Sequence, residues 1–253
     1  MSIRKKILAI SIGPVLVLGV ITLLFMLTMV KSSLMDEVQD ALKGTAAATL
    51  AAYDQNTGDY LESTNGDIWK GSYNISKSES LVDRIKENTG MDVTFFYGNK
   101  RIMTSALDKK GNRILGSEAG ERVVNQVIKG KKPFFSTNVS LDGTRNYGYF
   151  IPVYQNGTTD QVIGMVFVGT NKARKDAIVN KILGSIMMAL LVVMLLCIVT
   201  AMRMAASISK NIKNSVAVVG KLADGDLNVW VDEKLLKRKD EIGDLSRGTM
   251  TLR

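Results

Sequence analysis

The sequence predicts an α+β domain held between two membrane-spanning helices and followed by a short helical tail. Three observations carry this expectation. Two long apolar runs, 7–30 and 182–202, contain no charged residue. In the segment between them, apolar spacing changes from three- and four-residue steps to two-residue steps. Turns rich in Gly, Asn and Asp then cut that segment into strand-length pieces.

Each apolar run is long enough, at about 1.5 Å per residue, to cross a hydrocarbon core of roughly 30 Å. A secretory leader has an apolar stretch of only about 7–15 residues and a small-residue cleavage site. The first run is longer, ends in Leu27-Thr28-Met29-Val30-Lys31 and continues into a helical pattern, so it reads as an uncleaved span. Arg4, Lys5 and Lys6 precede it, whereas Asp36, Glu37 and Asp40 follow. Cytoplasmic flanks collect Lys and Arg, which places the N-terminus inside. The expected organisation is a cytoplasmic tip (1–6), span (7–30), outside domain (31–181), span (182–202) and cytoplasmic tail (203–253) in the cell membrane.

The net charge of +9 is shared among tip, outside domain and tail, and no basic stretch is interleaved with aromatics, so nucleic acid is not an expected partner. Cys197 is the sole cysteine, so no intrachain disulfide can form. The chain has no histidine, which excludes Ser-His-Asp and Cys-His catalysis and the usual zinc sites. No acidic spacing matches a calcium loop. The expectation is a protein that is not an enzyme, with no metal and no cofactor. Three N-glycosylation sequons, at Asn74, Asn138 and Asn156, matter only in a eukaryotic secretory route.

Leu34, Val38, Leu42, Thr45, Thr49 and Ala52 continue the first span as a helical stripe fit to cover a sheet. A loop-rich stretch follows. Ser76 and Glu79 then fit a capping box ahead of Leu81, Val82 and Ile85, with Gly90 as the stop. Strands are predicted at 92–97 and 100–105 around Gly98-Asn99. A helix is expected over 118–129, with Val123, Val124, Val127 and Ile128 inward. Strands at 133–140, 145–154 and 162–169 complete an antiparallel sheet.

The strings TFFYGNKRIMTSALDKKGNRILGSEA, GKKPFFSTNVSLDGTRNYGYFIPVY and VIGMVFVG resemble the single Cache domain of bacterial chemoreceptors and sensor kinases. The resemblance covers most of 31–181 and implies a PAS-like fold that binds a small molecule, often an organic acid or amino acid. Related carboxylate-sensing domains place a cation soon after the first hairpin turn and a hydroxyl or imidazole about three residues on, as with Arg101 and Thr104. Arg101 offers a carboxylate a two-pronged donor set, with Thr104 or Ser105 adding a hydroxyl. Arg145, Tyr147 and Tyr149 share one strand face by alternation, so the tyrosines offer an apolar wall with polar tips. Lys131, Lys132 and Phe95 complete the candidates. Each has an ordinary alternative: solvated cations beside turns, and aromatic core residues. Phe95 and Phe96 point to opposite faces, so at most one of them lines a pocket.

In the tail, Ile208, Ile212, Val216, Val219 and Leu222 form a helical stripe. It breaks at Asp224-Gly225-Asp226. Leu227, Val229 and Val231 then alternate, and a second helix starts near Asp240-Glu241-Ile242-Gly243. This is similar to a HAMP linker, with Gly225, Asp240, Glu241 and Gly243 as relay positions. Asn211 stands where that family usually has proline, which puts the control that proline provides in doubt. The resemblance implies a parallel four-helix bundle in a homodimer. No methylation helices, kinase ATP site or cyclase motif precede Arg253, so the chain reads as a sensory half, either a fragment or one whose output lies on another polypeptide. The expected protein is the front of a methyl-accepting chemotaxis receptor. The alternatives are the front of a histidine kinase or cyclase, and a ligand-free membrane anchor.

Overall fold

A computed structural model describes residues 3–225 and 233–251. The chain divides into two units, Thr28–Leu183 and Met1–Leu27 with Gly184–Arg253.

The N-terminal helix α1 (Ile3–Phe25) passes through a π-helical turn (Met26–Val30) into α2 (Lys31–Asp54). Val38, Leu42, Ala46, Thr49 and Tyr53 form the buried stripe of α2. Its first half follows the sequence prediction, and its second half is shifted by one residue, from Thr45 and Ala52 to Ala46 and Tyr53. The shift follows Tyr53, whose hydroxyl lies 2.9 Å from Ser78 Oγ and whose ring meets Phe95 edge-on at 5.1 Å.

The stretch expected to be loop contains a small antiparallel sheet, β1 (Tyr60–Glu62), β2 (Ile68–Lys70) and β3 (Tyr73–Asn74). Strands of two or three residues are too short to show alternation. The turn between β2 and β3 packs on the chain ahead of β1 at Gly71, at φ +54°, where an added Cβ would lie 1.9 Å from the Thr57 carbonyl oxygen.

The next helix, α3 (Glu79–Thr89), starts after a 3-10 turn (Ile75–Lys77), and the predicted capping box does not form. Ser78 holds the N-cap position without a side-chain capping bond. Ser76 Oγ instead accepts from the Ile68 amide at 2.9 Å, so the small sheet takes the hydroxyl meant for the cap. Gly90 ends α3 at φ +68°, as expected.

Strands β4 (Asp92–Tyr97), β5 (Lys100–Thr104), β6 (Phe134–Leu141), β7 (Thr144–Tyr154) and β8 (Val162–Asn171) form an antiparallel sheet in the order β5-β4-β8-β7-β6. All five strands agree with the predicted ones to within a residue or two. Alternation gives the sheet two apolar faces. Val93, Phe95, Tyr149, Val153, Val166 and Val168 pack with the α2 stripe. Phe96, Phe150, Met165 and Phe167 pack on the other face with Ala106, Val127 and Leu141.

The chain between β5 and β6 lies over this second face. The helix expected there over 118–129 is shorter, α4 (Glu121–Val123), continuing as π-helical Val124–Lys129. Residues 116–118 bond instead to β5: the Arg101 amide donates to the Ser117 carbonyl at 2.9 Å, and the Gly116 amide to the Arg101 carbonyl at 2.8 Å. Val127 is fully buried beneath.

The long helix α5 (Lys172–Ala223) takes in both the second apolar run and the first tail helix. A short helix, α6 (Glu233–Leu236), precedes α7 (Glu241–Thr251). The predicted alternation of Leu227, Val229 and Val231 lies outside the described residues. The helical stretches Arg4–Asp54 and Lys172–Ala223 are both long and apolar enough to cross a membrane.

Candidate functional site

The sheet face away from α2 holds a cavity of about 470 Å³. Its floor crosses all five strands: Arg101 from β5, Phe96 from β4, Phe167 from β8, Phe150 from β7 and Phe134 from β6. The strand register produces this row, because Phe96 pairs with Arg101, Phe150 with Phe167, and Phe134 with Phe150. Glu118, Ala119, Arg122 and Val123 line the cavity from the overlying segment.

Arg101 is 7% exposed, and its Nε has no hydrogen-bond partner among the described residues. Its Nη1 makes one long bond, to the Ile114 carbonyl at 3.4 Å, and its guanidinium stands 5.3 Å over the Phe96 ring. Burial pulls its pKa below the usual arginine value, with the Asp92 carboxylate acting weakly against that. Among the described residues no carboxylate forms an ion pair with Arg101, and a buried cation left so favours an anionic guest, because a buried donor left unpaired is costly. Arg122 is exposed and lies 5.4 Å over the Phe134 ring.

The other predicted ligand contacts are not gathered here. Tyr147 and Tyr149 lie on the α2 face, in the cluster that also holds Phe95. The Tyr147 hydroxyl donates to Asp176 Oδ1 at 2.5 Å, which together with burial pushes its pKa up to about 12. Phe95 is wholly enclosed, edge-on to Tyr53 and stacked on Tyr60 at 5.8 Å. Thr104 Oγ1 is taken up by Thr94 Oγ1 at 2.7 Å and the Ala106 amide at 3.1 Å. Ser105 Oγ accepts from the Val93 amide at 2.9 Å. Arg145 and Lys132 are exposed, and Lys131 lies 3.6 Å from Asp160.

Sequence reasoning missed the phenylalanine row and the roof residues. Phe96 and Phe150 were visible as partners of opposite parity to Phe95 and Tyr149. Which parity faces the cavity depends on which face α2 covers, and no local signal reports that.

Two further features bear on the cavity. β6 shifts register between Ser136 and Val139, so Thr137 and Asn138, which line the wall, leave the ladder. The Thr137 carbonyl there accepts from Lys172 Nζ, at the first residue of α5, at 3.1 Å.

In the other unit, Asp240 caps α7, accepting from the Gly243 amide at 3.2 Å and pairing with Arg238. The arginine holds its carboxyl down at about 2. Gly243 is required by space, since an added Cβ would lie 2.2 Å from the Arg238 carbonyl oxygen. Glu241 is exposed, and Gly225 has φ +84°.

No curated protein matches this chain in sequence. Among solved structures, an extracellular ligand-binding receptor from Desulfohalobium retbaense DSM5692 aligns with 58% of this chain at 14% identity and a TM-score of 0.42. The aligned part spans a quarter of that protein. Residues 73–182 match the family profile Single cache domain 3. The segment from Tyr73 through the last sheet strand and the start of α5 is thus similar to a single Cache domain, with a Cache-like α+β fold in which an antiparallel sheet is joined to long helices.

Proposed function

We propose that the chain is a two-span membrane receptor, with both termini cytoplasmic, whose Cache domain senses a small extracellular carboxylate. The observation that carries this reading is Arg101: a buried guanidinium with an unpartnered Nε on the floor of a cavity of small-molecule size. The ligand's carboxylate takes the two-pronged donor face of Arg101 and replaces the water that ionised groups otherwise require. The signal leaves through α5, whose first residue already holds the cavity wall at Thr137. The tail acts as a HAMP relay in a homodimer and feeds a chemotaxis output. Its support is the Asp240 cap and the crowded Gly243 at the entry to α7. The chain catalyses no reaction in this reading.

Calorimetric titration of the full chain in lipid nanodiscs tests the sensor, using a panel of small organic acids and amino acids. At least one acid is expected to bind, and Arg101→Ala is expected to abolish that binding while the protein still melts cooperatively. Binding indifferent to Arg101→Ala would move the site elsewhere. A folded chain that binds nothing would favour a ligand-free anchor. Sedimentation of the full chain in detergent tests the homodimer, and a monomer at high protein concentration would defeat the HAMP relay.

A further inference from the structure

Resting on the carboxylate reading of Arg101, we infer that the ligand is a flat aromatic carboxylate, lying across the strands with its acid group at Arg101 and its ring over the phenylalanine row. The floor beyond Arg101 is aromatic on four successive strands, Phe96, Phe167, Phe150 and Phe134. Phe150 and Phe167 are 4.8 Å apart and tilted, and Phe134 follows 6.5 Å from Phe150.

Two glycines set the height of this floor. Gly148 and Gly169 face each other across β7 and β8. A Cβ on Gly148 would lie 2.5 Å from Phe167 Cε2, and one on Gly169 would lie 2.4 Å from Phe167 Cζ. The Phe167 ring therefore lies down on bare backbone at both positions instead of standing into the cavity. A ring laid flat keeps the space above it open; Phe167, Phe96 and Phe150 are themselves almost wholly covered, and Phe134 is the ring of the row with surface left for a guest. Ring-to-ring contact adds favourable energy beyond the area it buries, so an aromatic guest gains more from such a floor than an aliphatic one.

Charge sets the end at which the acid group binds. Arg101 is the buried cation of the cavity, and the exposed lining charges, Glu118 and Arg122, are of opposite sign. One ligand carboxylate is matched at the buried end. At the far end of the row the exposed charge is Arg122, over Phe134, whereas Glu118 stands opposite Lys100, next to Arg101.

The full chain in nanodiscs is titrated calorimetrically with phenylacetate, acetate and succinate, and Arg101→Gln serves as the control for partition into lipid. Phenylacetate is expected to bind at least tenfold more tightly than the other two. Arg101→Gln is expected to remove that binding, and Phe134→Leu to weaken it several-fold. Phe150→Leu is the second variant if Phe134→Leu melts early. Acetate or succinate binding as tightly as phenylacetate, and depending on Arg101, would overturn the aromatic inference and keep the carboxylate cavity. Binding of none of the three in an Arg101-dependent way would overturn both.

Discussion

The Arg113 guanidinium forks onto the Asp83 carboxylate, Nη1 to Oδ1 at 2.9 Å and Nη2 to Oδ2 at 2.5 Å, while Nη1 also donates to the Thr104 carbonyl at 2.7 Å. One side chain thus ties α3, the end of β5 and the segment that roofs the cavity.

The arginine bonds hold the Asp83 carboxyl below its ordinary pKa. A depressed carboxylate adds stability above its unfolded pKa of about 3.9, and that stability is lost as pH falls through the lower folded value. Asp83 is partly exposed, so water screens much of the pair, and Asp83→Asn is expected to cost about 0.5–1 kcal/mol at pH 7. Melts of wild type and variant should differ at pH 7 and draw together as pH falls below about 4. A gap that persists at low pH would mean that the charge plays no part.

Tyr147 titrates in the opposite sense. Its folded pKa is raised to about 12, so its contribution is whole below pH 10 and disappears as pH rises through about 12. Tyr147→Phe removes the bond to Asp176 and should cost about 1 kcal/mol at neutral pH. The variant's stability should decline less than that of wild type between pH 10 and 12, read by denaturant midpoints.

Phe95 and Arg101 separate core from site. Phe95 is fully enclosed between Tyr53 and Tyr60, and Phe95→Ala should cost about 3–5 kcal/mol, a loss visible in any thermal melt. Phe95→Leu, which keeps most of the volume, should leave ligand affinity within a factor of two. Weakened affinity without lost stability would bring the α2 face into the site.

Gly148→Ala brings a methyl group to 2.8 Å from Val139 Cγ2 as well as onto the Phe167 ring. Overpacking of this kind costs about 1–3 kcal/mol. Because the relief available to Phe167 is to rise into the cavity, affinity should fall more than it does for Asp83→Asn, a destabilising change outside the cavity lining.

The five long strands were legible because each alternates over five or more residues between strong turns, and their order follows once antiparallel neighbours are joined. The small sheet was not legible, because Tyr73-Asn74 is too short to carry a period. The capping box failed because Ser76 had a stronger use, with the Ile68 amide. At the site, Arg101 could be singled out as a cation beside a turn, and its burial could not. Burial there comes from residues 114–118, which look like a solvated turn until they bond to β5. The tyrosines of β7 had the right alternation, but the period alone could not say that α2 would cover their face.

The two outer strands of the large sheet also have a consequence for how copies of this protein can meet. An edge strand with a straight run of free N–H and C=O groups invites a second copy to add on and aggregate. Here β5 is overlaid by the 116–118 segment, and β6 is broken by its register shift, with Lys172 holding the Thr137 carbonyl. Strand-to-strand growth is thereby discouraged at both ends. Contact between copies is steered away from these two edges, and the sheet cannot serve as the template of an amyloid-like stack.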